Sequence, residues 1–217
     1  MLHGLRWNIL VWNILVLTLG LLLLGSCVKL EQQPVDKRFY ALEVARPGAA
    51  LTAPASPATL LVRRVQVSQR VAGRELVYRT GESAWTADFY NLFFVNPADM
   101  LTQDLRTWLG SAGLFANVVD PSSLILPEYI LEGNVSGLHG DFAPGSGKGP
   151  AQAVAEMQFL LLRNTAGERR VVLTLDIRKT VPLAANTPAE LVRALRQAVS
   201  EVNVELETAI RETVSRK

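Results

Sequence analysis

Cysteine and histidine are nearly absent from this chain of 217 residues, which contains one Cys and two His. The single cysteine, Cys27, excludes an internal disulfide. A zinc site needs several Cys or His ligands, and beyond His3 the chain offers only His139. No Gly-x-Ser-x-Gly nucleophile motif occurs either. The sequence therefore predicts no metal site, no cofactor and no catalytic site, and indicates a protein that is not an enzyme.

An excess of charge of one sign is also missing. The chain has 22 basic and 20 acidic residues, and neither type forms a block or a stripe interleaved with aromatics. Nucleic acid is therefore excluded as a predicted partner. Only 19% of the residues are charged and 49% are hydrophobic, which is typical of a globular protein that carries an additional apolar segment.

That apolar segment lies at the start of the chain. Ile9 to Leu24 is almost wholly apolar and follows Arg6, but 16 residues are fewer than the roughly 20 that a membrane-spanning helix needs. The small residues Gly25 and Ser26 precede Cys27. This pattern predicts a lipoprotein signal peptide at residues 1–26, cleaved between Ser26 and Cys27, with Cys27 as the lipidation site. An uncleaved membrane helix is the alternative.

Acyl chains such as palmitate on Cys27 would anchor the protein, since each buried CH₂ contributes about 0.8 kcal/mol. Val28 follows the cysteine, where an Asp would favour the inner membrane, so the outer membrane is preferred. Loss of Arg6 with the leader removes one of the 22 basic residues and leaves 21 against 20 acidic ones. Residues 27–38 are polar and predict a tether, and residues 39–217 are long enough for one domain.

The remaining chain predicts strands and two helices. Asn96 and Pro97 supply the cap and first residue of one helix, and Thr187 and Glu190 form a capping box for the other. Alternation of apolar residues predicts strands at 39–44, 59–67, 75–79, 114–119, 129–138, 151–163 and 168–180, with 59–67 and 75–79 as a hairpin. The predicted fold class is α+β: a single domain, mostly antiparallel sheet, with two helices packed on one face.

Two patterns near the middle of the chain resemble functional motifs. His139 and Asp141 suggest a catalytic pair, but a lone His beside a glycine-rich loop is more typical of a hydrogen-bonded surface group, which is our prediction. Gly145 to Gly149 resembles a phosphate loop but lacks its spacing and opens no helix, so it predicts a flexible hairpin tip.

Aromatic residues cluster between positions 85 and 95. Such a cluster is often part of a core, but on an exposed loop it forms a partner surface. The residues proposed for that surface are Trp85, Phe89, Tyr90, Phe93 and Phe94.

Several short motifs recur in a characteristic order and spacing over residues 39–212. They are Phe39-Tyr40-Ala41-Leu42, Glu75 to Arg79, Tyr90, Asn96-Pro97, Tyr129 to Gly133 and Thr187-Pro188. In this order and spacing they resemble the ABC-type transport auxiliary lipoproteins, which are PqiC-like proteins that accompany lipid transporters containing MCE (mammalian-cell-entry) domains. Where many relatives have a Trp-Ala-Glu-Pro-like segment, this chain has Phe93-Phe94-Val95-Asn96-Pro97.

The resemblance implies a lipoprotein on the periplasmic face of the outer membrane. It would assist an MCE-domain protein and its ABC permease and ATPase in moving lipids between membranes, without chemistry of its own, and would self-associate. One alternative from the residues is a periplasmic lipoprotein that itself carries a hydrophobic ligand in a cavity. Another, less favoured, is a hydrolase that uses His139 and Asp141.

Overall fold

The computed structural model describes residues 36–143, 149–165 and 168–215, together with Trp12. Residues 36–215 contain, within these ranges, nine strands and two helices. The predicted leader and most of the tether lie outside the described residues, as does most of the predicted tip at 145–149. The strands are β1 Arg38–Tyr40, β2 Ser56–Val62, β3 Gln66–Val67, β4 Glu75–Arg79, β5 Trp85–Phe93, β6 Phe115–Val119, β7 Tyr129–Asp141, β8 Gln152–Thr165 and β9 Glu168–Pro182, and the helices are α1 Pro97–Ala112 and α2 Pro188–Ser215.

Strand β7 is the centre of one mixed sheet. On one side it pairs antiparallel with β8, which pairs antiparallel with β9, and these are the longest pairings. On its other side β2, β3 and β4 run parallel to β7, one after another along its length. Strand β6 extends the sheet from β2, while β5 and then β1 extend it from β4. The α+β prediction with a mostly antiparallel sheet is confirmed.

The predicted hairpin between residues 59–67 and 75–79 is wrong. Both segments run in the same direction along β7, and β4 forms its antiparallel pair with β5 instead. The short turn at 80–84 closes that pair, with the Thr80 amide donating to the Ala84 carbonyl at 2.9 Å. Alternation identifies a strand but carries no information about its partner.

Both helices begin where their caps predict. The Asn96 side chain accepts the Asp99 amide at 3.0 Å, and Pro97 is the first helical residue of α1. Helix α1 continues past Gly110 and ends at Gly113, whose φ of 70° is readily adopted by glycine. Thr187 accepts the Glu190 amide at 3.3 Å, so one half of the predicted capping box is present. The Glu190 carboxylate accepts from the Ala184 amide instead of completing the box.

The hydrophobic core lies between the sheet and the two helices. Trp108 of α1 and Leu195, Val202 and Leu206 of α2 are almost completely buried there. Among the described residues, every member of the core lies between positions 42 and 214, so a chain that starts after the leader contains all of them. Neither described helix combines the length and apolarity required to cross a bilayer.

The predicted strand at 39–44 is shorter than expected. Strand β1 ends at Tyr40, and Glu43 has a φ of 49°, which a continuing strand does not allow. Leu42 is nevertheless fully buried, and Arg196 of α2 donates to its carbonyl. The segment after β1 therefore lies against the helical layer instead of extending the sheet.

Candidate interaction surface

The predicted aromatic partner surface lies on β5 and the residue that follows it, and the structure separates its members. Phe89, Tyr90 and Phe94 are 57%, 55% and 66% exposed. Phe93 is buried in the core at 2% exposure, so its inclusion in the surface was wrong. Trp85 is half-buried and packs against the core. The surface therefore retains three of its five predicted residues.

Strand β1 adds one residue, Phe39, to this surface, which the sequence did not indicate. Phe39 is 50% exposed, and its ring centroid lies 6.3 Å from that of Phe94 in an edge-on arrangement. The rings of Phe89 and Tyr90 form a second edge-on pair, with centroids 5.3 Å apart. These four residues, Phe39, Phe89, Tyr90 and Phe94, are called the aromatic edge. Pairing of β1 with β5 joins positions about 50 residues apart, which no local pattern predicts.

Two cations cover rings of the aromatic edge. The Lys37 ammonium lies 4.0 Å from the centroid of Phe89, and the Arg74 guanidinium lies 5.2 Å from that of Phe39. A fully buried Phe side chain contributes about 1.5–3 kcal/mol relative to an exposed one. Each of the four rings is half exposed or more and so forgoes much of that free energy. Large exposed apolar patches are typical of interaction sites.

Asp88 holds the backbone beneath the aromatic edge. Its carboxylate accepts the Tyr78 hydroxyl at 2.7 Å and the amides of Tyr90 and Asn91 at 2.9 and 3.0 Å. Burial opposes the charge on Asp88, but these hydrogen bonds outweigh it and lower the pKa of the carboxyl group. Burial, together with the bond to Asp88, raises the pKa of Tyr78. The exposed rings are thus presented on an ordered backbone.

His139 occupies a different position from the predicted one. It is buried at 7% exposure, and its ring centroid lies 4.8 Å from that of Trp85. Its Nδ1 finds no hydrogen-bond partner in the part of the chain that the structure describes. Burial lowers the pKa of His139 to about 4. The prediction of a hydrogen-bonded surface group was wrong, because Trp85 folds over the imidazole.

Asp141 is paired with Arg79 and not with His139. Arg79 donates from Nε and Nη2 to the two Asp141 oxygens at 3.0 and 2.5 Å. Burial opposes ionisation of Asp141, yet the bond from Arg79 and further hydrogen bonds hold its pKa below the ordinary value. The catalytic pair considered from the sequence is therefore not assembled. Across the described ranges, no group of three or more His, Cys, Asp or Glu side chains is arranged to bind a metal.

The surface carries several shallow grooves. One that is mainly apolar has a volume of about 330 Å³ and lies between β4, β5 and the start of α2. Tyr78, Phe142 and Pro188 contribute to its lining, and the Tyr78 and Phe142 rings stack edge-on at 5.3 Å. This groove is open to solvent, whereas sites for hydrophobic ligands bury most of the ligand.

Comparison with known proteins identifies the family. The family described as the ABC-type transport auxiliary lipoprotein component matches residues 40–207. This chain belongs to that family. The match covers the sheet from β2 to β9, α1 and most of α2, and so confirms the resemblance drawn from the short motifs. A comparison with curated proteins gave no significant match.

Solved structures of low sequence identity share the fold of this family member. Protein XCC0632 from Xanthomonas campestris is 21% identical, with a TM-score of 0.68 over 81% of this chain and 96% of its own. A second crystal structure, of an uncharacterized protein, is 20% identical, with a TM-score of 0.61 over 81% of this chain and 99% of its own. At these identities the likeness establishes the fold alone.

Proposed function

We propose that the protein is a non-catalytic, lipid-anchored periplasmic component of an ABC transport system with an MCE-domain protein, which moves lipids or other hydrophobic molecules between the two membranes. Its membership of the transport auxiliary lipoprotein family is the observation that carries this proposal. The anchor places the domain at the periplasmic face of the outer membrane. The domain then contacts the MCE-domain protein or its ABC permease, and it acts by positioning them.

Attachment through Cys27 follows from the leader. The apolar run ends in Leu24-Gly25-Ser26-Cys27, and the polar segment 28–35 separates Cys27 from the described domain. Several acyl chains on one residue bind a bilayer durably. The domain itself holds its core within residues 42–214, so the anchor contributes location and not folding.

A Cys27→Ser variant tests this anchor. The variant should take up no labelled palmitate, because the acylated cysteine is gone. Its leader should remain attached or be cleaved at another site. The variant should also fail to complement a transport-defective strain. Its folded domain should have unchanged thermal stability. Labelled palmitate on the Cys27→Ser chain, or full complementation by it, would contradict the anchoring proposal.

The aromatic edge is the proposed contact for the transporter. Photo-reactive residues at Tyr90 and Phe94 should cross-link to an MCE-domain protein or its permease in cells, whereas one at Val204 should not. Val204 is the matched control because it is 44% exposed on α2, away from β5. Equal cross-linking from all three positions, or none from Tyr90 and Phe94, would remove the edge from the proposal. Self-association is tested in the same cells by cross-links between copies.

Direct transport of a ligand is the second candidate, because the 330 Å³ groove beside Tyr78 and Phe142 is apolar. Under this alternative, native mass spectrometry of protein purified from cells should detect a bound lipid at a fixed molar ratio of lipid to protein. A Phe142→Asp variant should lose that lipid. Ligand-free protein that supports transport would exclude the carrier role.

A further inference from the structure

Three consecutive apolar side chains project into solvent between β6 and β7. Leu124, Ile125 and Leu126 are 99%, 50% and 87% exposed. We refer to these three residues as the apolar loop. Burial of each such side chain contributes about 1.5–3 kcal/mol, so their joint exposure is costly for an isolated domain. The apolar loop lies at the start of β7. Strand β1 lies nearer the other end of β7, because it pairs with β5, which pairs with β4, and β4 pairs with the last two residues of β7.

Both stems of the apolar loop are held by specific hydrogen bonds. Before the loop, the Asp120 carboxylate accepts the Ser122 amide at 2.8 Å, and the Asp120 carbonyl accepts the Ser123 amide at 3.1 Å. After it, Asn164 of β8 donates its side-chain amide to the Pro127 carbonyl at 3.1 Å and its backbone amide to the Glu128 carbonyl at 2.7 Å. The exposure is therefore part of an ordered structure.

Arginines accompany the loop at the same end of the sheet. Arg163 of β8 and Arg170 of β9 are direct cross-strand partners, and Arg169 is opposite Asn164, which binds the loop stem. All three are exposed, and none takes part in an ion pair among the residues that the structure describes. Like charges directly opposite each other destabilise a sheet. An anion between Arg163 and Arg170 would relieve that repulsion.

Two grooves connect the arginines with the base of the loop. Their volumes are about 290 and 400 Å³, and both are lined by Tyr129 and Arg163. Glu128 also lines the first groove, but its carboxylate is already hydrogen-bonded, because it accepts the Thr59 amide at 2.8 Å. The surface thus combines an ordered apolar projection with unpaired guanidinium groups that border open grooves.

We infer that the apolar loop, Arg163 and Arg170 form a contact site for an anionic phospholipid bilayer. The leucines enter the boundary between headgroups and acyl chains, and the guanidinium groups bind lipid phosphates. Apolar residues flanked by basic ones are the chemistry of interfacial membrane binding, and each Arg near an anionic surface adds to the affinity. Arginine also binds phosphate through paired N–H donors.

The inference rests on the proposed membrane location but needs neither the acyl group nor a transporter for its test.

The test uses the chain from Val28 to Lys217 without a lipid, because this chain contains the whole core. Flotation should recover it with vesicles of phosphatidylethanolamine and phosphatidylglycerol, and much less with phosphatidylcholine vesicles. Leu124→Ser together with Leu126→Ser should lower the partition coefficient at least about tenfold. Arg163→Gln together with Arg170→Gln should lower it about tenfold and remove the preference for phosphatidylglycerol.

The matched control is Phe89→Ser together with Phe94→Ser, which removes two exposed apolar side chains from the aromatic edge. This variant should bind vesicles like the parent chain. The inference is overturned if the parent chain fails to float with anionic vesicles or if the loop variant floats as well as the parent. It is also overturned if the loop variant changes only self-association in solution, which would assign the loop to a second copy. None of these outcomes affects acylation of Cys27 or cross-linking at Tyr90.

Discussion

Arg46 and Glu207 form a bidentate ion pair although 161 residues separate them in the chain. Arg46 donates from Nε and Nη2 to the two carboxylate oxygens, each at 2.8 Å. The same carboxylate accepts the Trp108 indole N–H at 2.9 Å and Arg211 at 2.6 Å. One buried acid of α2 thereby joins the segment after β1 to both helices. The bond from Arg46 lowers the pKa of Glu207 despite the opposing effect of burial.

Glu207→Gln should destabilise the domain by about 3 kcal/mol, because it leaves the buried Arg46 without its counter-charge. Urea unfolding of the lipid-free chain measures this loss. Glu205→Gln is the control on the same helix, since the Glu205 side chain is 43% exposed and pairs with Lys179. The control should change the free energy of unfolding by less than about 1 kcal/mol. Equal decreases in the free energy of unfolding for the two variants would show that the ion pair and hydrogen bonds of Glu207 do not specifically stabilise the fold.

Stability should fall between pH 6.5 and pH 4 because of His139. Its pKa is about 4 in the folded chain against an ordinary value of 6.5. As the pH falls through this window the unfolded chain takes up the proton first, so the free energy of unfolding declines by up to about 1.4 kcal/mol per pH unit. His139→Phe, which keeps an aromatic ring against Trp85, should flatten that slope. An identical slope in both chains would assign the pH dependence to other groups.

Gly140 and Gly110 should respond oppositely to alanine. A Cβ on Gly140 would lie 2.7 Å from the Phe142 ring and 3.1 Å from Leu191, which is fully buried, so Gly140→Ala should cost about 1–3 kcal/mol. Gly110 is exposed within α1 and has no atom within 4 Å of the new Cβ. Gly110→Ala should stabilise by about 0.5–1 kcal/mol. Thermal unfolding of the pair measures both signs, and a loss at Gly110 would contradict the helix argument.

The helices were predictable because their signals are local. Asn96 caps α1 through an amide three residues away, and Thr187 does the same for α2. Such bonds depend only on neighbouring residues. The starts of both helices therefore agree with the predicted ones.

The candidate surfaces were less predictable because exposure is set by strand partners. Phe93 and Phe94 are adjacent and of the same type, yet one is buried and the other is 66% exposed. Phe93, the last residue of β5, belongs to the hydrophobic core, whereas Phe94 lies just beyond the strand. Phe39 joined the surface only through pairing of β1 with β5, and the apolar loop was not identified because a short apolar run is also typical of a core strand.

The sequence by itself determined the helix positions, the α+β class and, through short motifs in order, membership of the family. It also carries the predicted lipid site at Cys27, since a leader is recognised from its linear pattern. Only the tertiary structure decided which apolar side chains remain in solvent and that His139 is buried under Trp85. It also decided that Arg163 and Arg170 are cross-strand partners, neither of which takes part in an ion pair with another described residue. Local bonds involve neighbours in the chain, whereas burial and charge pairing depend on residues that the folded chain alone brings together.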